Sequence, residues 1–175
     1  MSDQPEPKPI AGGLWNDAVP NNGYPSVDLY LNHILEQYKL YVEMADRISA
    51  RRDTANTFFF TLHSTIIAAC GYILEKGFVI TKHILIIPLL CASFLCFVWW
   101  RLIMSYRQLN TAKYKVVGEL EKRLPASPYW SAEWKALGEG KNRKLYVPLS
   151  HIENWVPVIF GTIYVIAVIC SLCWW

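Results

Sequence analysis

The stretch Tyr38–Ile66, YKLYVEMADRISARRDTANTFFFTLHSTI, decides the fold. It opens as an amphipathic helix. Tyr38, Tyr41, Val42, Ala45 and Ile48 recur every three or four residues, with Lys39, Glu43 and Arg47 largely off that stripe. Glu43 and Arg47 stand four apart, a favourable pair on a helix surface. From Thr57 the composition turns apolar, and neither Gly nor Pro separates the two parts. One continuous helix is therefore expected to run from an aqueous compartment into a membrane.

Upstream, Leu31, Ile34 and Leu35 extend the stripe, Ser26 is a candidate N-cap, and Asp28 sits where the helix dipole favours an anion. Downstream, three apolar runs carry no Asp, Glu, Lys or Arg: Thr57–Leu74 with 18 residues, Ile84–Trp100 with 17 and Trp155–Trp175 with 21. A hydrocarbon core of about 30 Å takes about 20 helical residues. The third run qualifies outright and the first two with their flanks. Trp99, Trp100, Trp155, Trp174 and Trp175 stand at run ends, where interface belts form. Pro88 interrupts the second run and Pro157 opens the third; a kink eased by neighbouring helices is expected at each.

Composition agrees. Of 175 residues 53% are hydrophobic and 18% charged, against about 45–50% and about 25% in soluble domains. The net charge of +3 is too mild to argue nucleic-acid binding, and no basic groove interleaved with aromatics stands out, so no direct nucleic-acid partner is expected. No basic segment followed by an apolar one opens the chain, so the first membrane helix is expected to direct insertion.

Lys and Arg set the orientation. Five precede the first run, two (Lys76 and Lys82) lie between the first and second, and ten lie between the second and third. The positive-inside rule puts the N-terminus and the long second connection in the cytoplasm and the C-terminus outside, in the periplasm. After Trp100 the chain continues RLIMSYRQLNTAKYKVVGELEKRL, with Leu102, Tyr106, Leu109, Val116, Leu120 and Leu124 as a second stripe that Pro125 stops. The expected fold class is all-α and integral to the membrane: three transmembrane helices, the first two extended into a long antiparallel cytoplasmic hairpin joined through Glu75–His83. Residues 1–25, rich in Pro and Gly, are expected to be a flexible tail, with Leu14 and Trp15 free to dock or idle. Residues 26–125 hold the two extended helices, with spans over about 57–74 and 84–100. Residues 126–154 form a cytoplasmic loop with a short helix around Ser131–Leu137, and 155–175 the third span.

The stretch Tyr38–Ile66, and WRLIMSYRQLNTAKYKVVGELEKRLP (Trp100–Pro125) leaving the next span, resemble the SLATT group of small bacterial membrane proteins. These are two-transmembrane effector domains found beside nucleotide-sensing proteins in conflict systems. The resemblance covers roughly residues 30–125; the third span is a departure from it. It implies a pore-forming or membrane-perturbing effector of antiphage defence in the bacterial inner membrane, working with a cytoplasmic defence protein encoded nearby. It implies no catalytic residue. Three helices are too few to enclose an aqueous path, so a pore requires a homo-oligomer. The alternative is a non-pore anchor, scaffold or regulatory subunit for a cytoplasmic defence enzyme.

The candidate pore-lining or gating residues are His63, Ser64, Asn56, Arg47, Arg51 and Arg101. His63 is an ionisable group inside an apolar run, flanked by Thr61, Ser64 and Thr65. It either lines a path or sits as a neutral imidazole bonded to a neighbouring helix. Arg47, Arg51 and Arg52 precede the first span and Arg101 and Arg107 follow the second; they form either a cationic mouth or ordinary anchors to anionic lipid heads. Asn56 and Asn110 at that level are candidates to bridge the helices.

Chemistry beyond this is not expected. Cys70, Cys91, Cys96, Cys170 and Cys173 all fall in apolar runs. The pair Cys170 and Cys173 has thiol-exchange spacing but no accessible partner pair. Gly138-Glu-Gly-Lys141 fails as a phosphate loop, because Lys135 stands where that pattern needs Gly and Asn142 where it needs Ser or Thr. His33, His83 and His151 have no metal-ligand spacing. No enzyme activity, cofactor or metal is expected.

Overall fold

A computed structural model describes residues 10–16, 23–75, 85–141, 144–146 and 152–173. The expected connection between the first two runs, with Lys76, Lys82 and His83, lies outside the described residues, as do His151, Trp174 and Trp175. Among the described residues the elements are helical: α1 (Ala11–Leu14), α2 (Val27–Glu75), α3 (Ile86–Glu121), a π-helical turn (Pro128–Glu133), α4 (Trp134–Ala136), a 3-10 turn (Gly138–Gly140) and α5 (Trp155–Cys173).

Ser26 caps α2, its hydroxyl accepting from the Leu29 amide at 3.2 Å. The helix then runs 49 residues without interruption, through the junction at Thr57. α3 ends at Glu121 in a tighter turn, Arg123 N–H to Leu120 O and Leu124 N–H to Glu121 O, before Pro125. The prolines act differently from the expected kinks. Pro88 and Pro157 are each the third residue of their helix, in the first turn, where an amide has no intrahelical acceptor to lose. They stand at helix starts.

The chain divides into two compact units. The first comprises Met1–Ile48 and Leu109–Val147. Its core holds Ile34, Ala45, Val117 and Leu120. The Lys113 ammonium lies 4.5 Å from the centre of the Tyr41 ring, and Tyr38 reaches Glu121. Contacts that descend α2 as they ascend α3 make these segments antiparallel. Trp15, in the stretch expected to be a tail, lies 3.3 Å beneath the Arg123 guanidinium. The Gly138–Gly140 turn has positive φ at all three residues, including Glu139 at 53°. The exposed Lys141 ammonium, 2.7 Å away, holds the Glu139 carboxyl below its ordinary pKa.

The second unit comprises Ser49–Gln108 and Pro148–Trp175. Leu89, Ala92, Cys96 and Tyr164 form its core, with Ile66, Phe160 and Val168 packed around them. The contacts Phe60–Phe160 and His63–Tyr164 ascend both helices together, so α5 runs parallel to this part of α2. Asn56–Trp99 and His63–Cys96 run in opposite senses, so α3 is antiparallel to both.

Candidate functional site

His63 is the centre of the second unit. It has no exposed surface. Its ring stacks on Trp99 with centroids 5.7 Å apart and an 11° tilt, and on Phe59 at 6.4 Å. Nδ1 lies 3.0 Å from the Tyr164 hydroxyl, which also lies 3.2 Å from the His63 carbonyl. Nε2 lies 3.6 Å from Cys96 Sγ. One proton arrangement satisfies every group: Nδ1–H donates to Tyr164 Oη, Tyr164 O–H donates to the carbonyl, and the Cys96 thiol donates to Nε2. A neutral imidazole therefore has all its partners inside one chain, on α3 and α5.

Asn56 belongs to the same assembly. Its carboxamide oxygen accepts from Trp99 Nε1 at 3.0 Å, so the indole that stacks on His63 is held at its edge by α2. Beyond Asn56, Arg52 Nε and Glu153 Oε2 form an ion pair at 3.2 Å between α2 and the entry to α5. A mostly apolar cavity of about 250 Å³ lies between Asn56, Phe60, Trp99, Glu153 and Val156.

The remaining candidates do not join this cluster. Ser64 is half-buried beside His63. Arg51 and Arg101 are exposed, Arg51 lining a shallow groove with Thr54, Phe58, Leu102 and Tyr106. Arg47, in the first unit, is exposed and pairs with Glu43 at 2.6 Å. Sequence reasoning gave Tyr164 and Glu153 no role, expected Trp99 at an interface belt, and took Cys96 only as one of the cysteines in apolar runs; Trp99 is instead buried against His63. The signal available for Tyr164 was its hydroxyl in the aliphatic middle of the last run.

It also passed over Glu121 in the first unit, 1% exposed. Oε1 accepts from the Tyr38 hydroxyl and the Tyr129 amide, both at 3.1 Å. Oε2 accepts from the Ser127 hydroxyl at 2.6 Å and the Trp130 amide at 2.9 Å. Four donors on one carboxylate tie the π-helical turn to α2 and α3. The available signal was a carboxylate set among Val117, Leu120 and Leu124 on an apolar stripe. Gly118 admits the same turn, since a Cβ there would stand 2.8 Å from the Trp130 ring.

Among the described residues two helices, α3 and α5, are long and apolar enough to cross a membrane. Only 28% and 11% of their most apolar stretches are buried, so they are not core helices of a soluble protein. Outward apolar faces around an interior of packed rings and a hydrogen-bonded imidazole define a helical membrane protein. The chain belongs to the octameric membrane protein family (8xMP), whose model matches residues 35–173. No curated protein and no solved structure matches the chain.

Proposed function

We propose that this chain is a membrane effector of a bacterial antiphage or conflict system, which assembles with copies of itself to permeabilise or depolarise the inner membrane when a cytoplasmic partner signals. One observation carries the reading: the helices close tightly around His63, leaving no opening beside it. His63, Trp99 and Tyr164 together leave at most 1% of any of their surfaces open. No aqueous path runs through such a bundle, so permeation needs a path between copies. The family's name supplies a copy number. Eight inner helices about 9 Å apart close a ring whose opening is roughly 12 Å once helix radii are subtracted. The resemblance of Tyr38–Ile66 and Trp100–Pro125 to SLATT effectors supplies the biological setting.

In this reading residues 57–74 form a third span, the amphipathic parts of α2 and α3 form the cytoplasmic hairpin, and the C-terminus lies in the periplasm. Asn56 and His63 hold the bundle together. Arg51 and Arg101 meet anionic lipid heads or the mouth of the path. The test follows membrane potential with a voltage-sensitive dye during phage infection, with and without the neighbouring genes, and ion flux in liposomes holding the purified chain. Depolarisation and flux that require the chain support the reading. Protection with an unchanged potential sinks it.

One observation favours the scaffold alternative. In the first unit α2 leaves Leu31, Leu35, Leu40 and Met44 between 37% and 55% exposed. Such a surface suits a protein partner. In that alternative, substitution of these leucines by Gln abolishes protection while the membrane potential stays unchanged with or without the substitutions.

A further inference from the structure

A recess opens in the second unit at the level of Asn56. It is the mostly apolar cavity of about 250 Å³ between α2 and α5, with Trp99 as its inner wall. Thr57 and Phe60 at its rim are exposed, whereas Trp99 is 1% exposed. The recess therefore runs from the lateral surface of the helices in to the indole. The apolar run of α3 ends at Trp100, and α5 begins at Trp155. Both helices place the recess at the edge of a hydrocarbon layer. One turn farther along, Phe60 meets Phe160 edge-on at 5.8 Å and closes the groove between α2 and α5.

The wall is apolar along most of its length and charged at one end. Phe60, Trp99 and Val156 supply the apolar part, and Glu153 supplies a carboxylate. Glu153 Oε2 is buried against Arg52 Nε at 3.2 Å, a contact without hydrogen-bond alignment. The other Glu153 oxygen is the acceptor left for a ligand, and the Arg52 guanidinium keeps two NH2 groups as donors. The pair sums to zero charge, so an anion alone would face the carboxylate without compensation. A ligand carrying both a cation and an anion matches the pair. The volume is below the about 300–1,000 Å³ of pockets that enclose whole small molecules, so it suits one end of a longer amphipathic molecule. Bare apolar walls forfeit dispersion contacts, and the surrounding bilayer supplies molecules of that description.

We propose that this recess binds the headgroup end of a zwitterionic phospholipid bearing a primary amine. Its ammonium donates to the Glu153 carboxylate and its phosphate accepts from the Arg52 guanidinium, so charges alternate in sign around the four groups. Its glycerol and first methylenes lie against Phe60, Val156 and Trp99. The Asn56 carboxamide oxygen is taken by Trp99 Nε1 at 3.0 Å, which leaves the Asn56 NH2 group to donate to an ester carbonyl. A lipid held here bridges α2 and the entry to α5 at the membrane surface.

Native mass spectrometry of the full chain tests it. The protein is purified in mild detergent and offered equal amounts of phosphatidylethanolamine, phosphatidylcholine and phosphatidylglycerol with matched acyl chains. Phosphatidylethanolamine is expected to be retained about tenfold over phosphatidylcholine, which has no N–H to give, the weight of one hydrogen bond to a charged group. Glu153→Gln keeps the shape and leaves the Arg52 charge unpaired, so the preference is expected to reverse toward phosphatidylglycerol. Val156→Trp fills the recess without touching the ion pair, and retention of phosphatidylethanolamine is expected to fall to that of phosphatidylcholine. Thermal melting checks that each variant is folded, and the wild-type preference decides by itself if one is not. Equal retention of the three lipids by the wild type, or a wild-type preference for phosphatidylglycerol, overturns the proposal. So does undiminished retention in a folded Val156→Trp chain, or an unchanged preference in folded Glu153→Gln. Permeation plays no part in these readouts, so their failure leaves the effector reading standing.

Discussion

The Tyr164 hydroxyl lies 3.0 Å from the ring of His63 and 3.2 Å from its backbone carbonyl, joining residues 101 positions apart. This one side chain places α5 against α2 and gives a buried imidazole its partner. Tyr164→Phe removes the partner and keeps the ring. A buried donor left unsatisfied costs about 1–3 kcal/mol. The expected result is a lower melting temperature of the detergent-solubilised protein. His63→Ala adds a cavity among Phe59, Trp99 and Phe160, and thermal melting is expected to show a larger loss than for Tyr164→Phe.

Glu121 faces four donors and no acceptor. Glu121→Gln is nearly isosteric yet turns an NH2 group toward donors. Hydrogen bonds to a charged group are worth about 1.5–3 kcal/mol each, so the π-helical turn is expected to loosen. Limited proteolysis within residues 127–146 should speed up in the variant. Equal digestion rates contradict the anchoring role.

Gly118 and Trp130 form a close contact that admits no side chain on the helix. Gly118→Ala is expected to destabilise the protein by displacing the indole. In a Trp130→Ala background the obstacle is gone, and the same change is expected to be neutral or stabilising by up to about 1 kcal/mol through helix propensity. Thermal melts of the four proteins measure the coupling, and additive effects argue against the contact.

Arg52 and Glu153 form a partly buried pair at 3.2 Å, each side chain less than a fifth exposed. Removing one partner strands the other charge. Arg52→Glu or Glu153→Arg alone should lower stability, and the double exchange should recover part of it. Failure to recover in a double-mutant cycle shows that surroundings, not the pair, set the cost.

Burial, together with the hydrogen bond to Glu121, raises the Tyr38 phenol above its ordinary value of 10.0. A raised folded pKa favours the neutral form in the folded protein. Its contribution is complete below the unfolded value and is lost as pH rises through the folded one. The wild-type melting temperature is expected to fall more steeply above pH 10 than that of Tyr38→Phe. Parallel curves would remove Tyr38 as the source.

Much of this was legible in the amino acids because it is local. The helicity of Val27–Glu75 follows from a 3.6-residue stripe, a Ser26 cap and good helix formers across the junction at Thr57. Apolar composition over α3 and α5 follows from the solvent they face. Pro157 opens its helix as its place in the run suggested, whereas Pro88, expected inside a span, also stands in a first turn, because a run of apolar residues does not show where its helix begins.

Sequence alone thus determined which residues form helices and which stretches prefer lipid, since propensity and hydrophobicity act over a few turns. Only tertiary structure decided which faces meet. His63 found Tyr164 and Cys96, and Glu121 found Tyr38 and Trp130, through the register of helices from distant parts of the chain. A buried polar group is held by whichever donor or acceptor that register brings within about 3 Å, and periodicity along one helix carries no record of its neighbour's register.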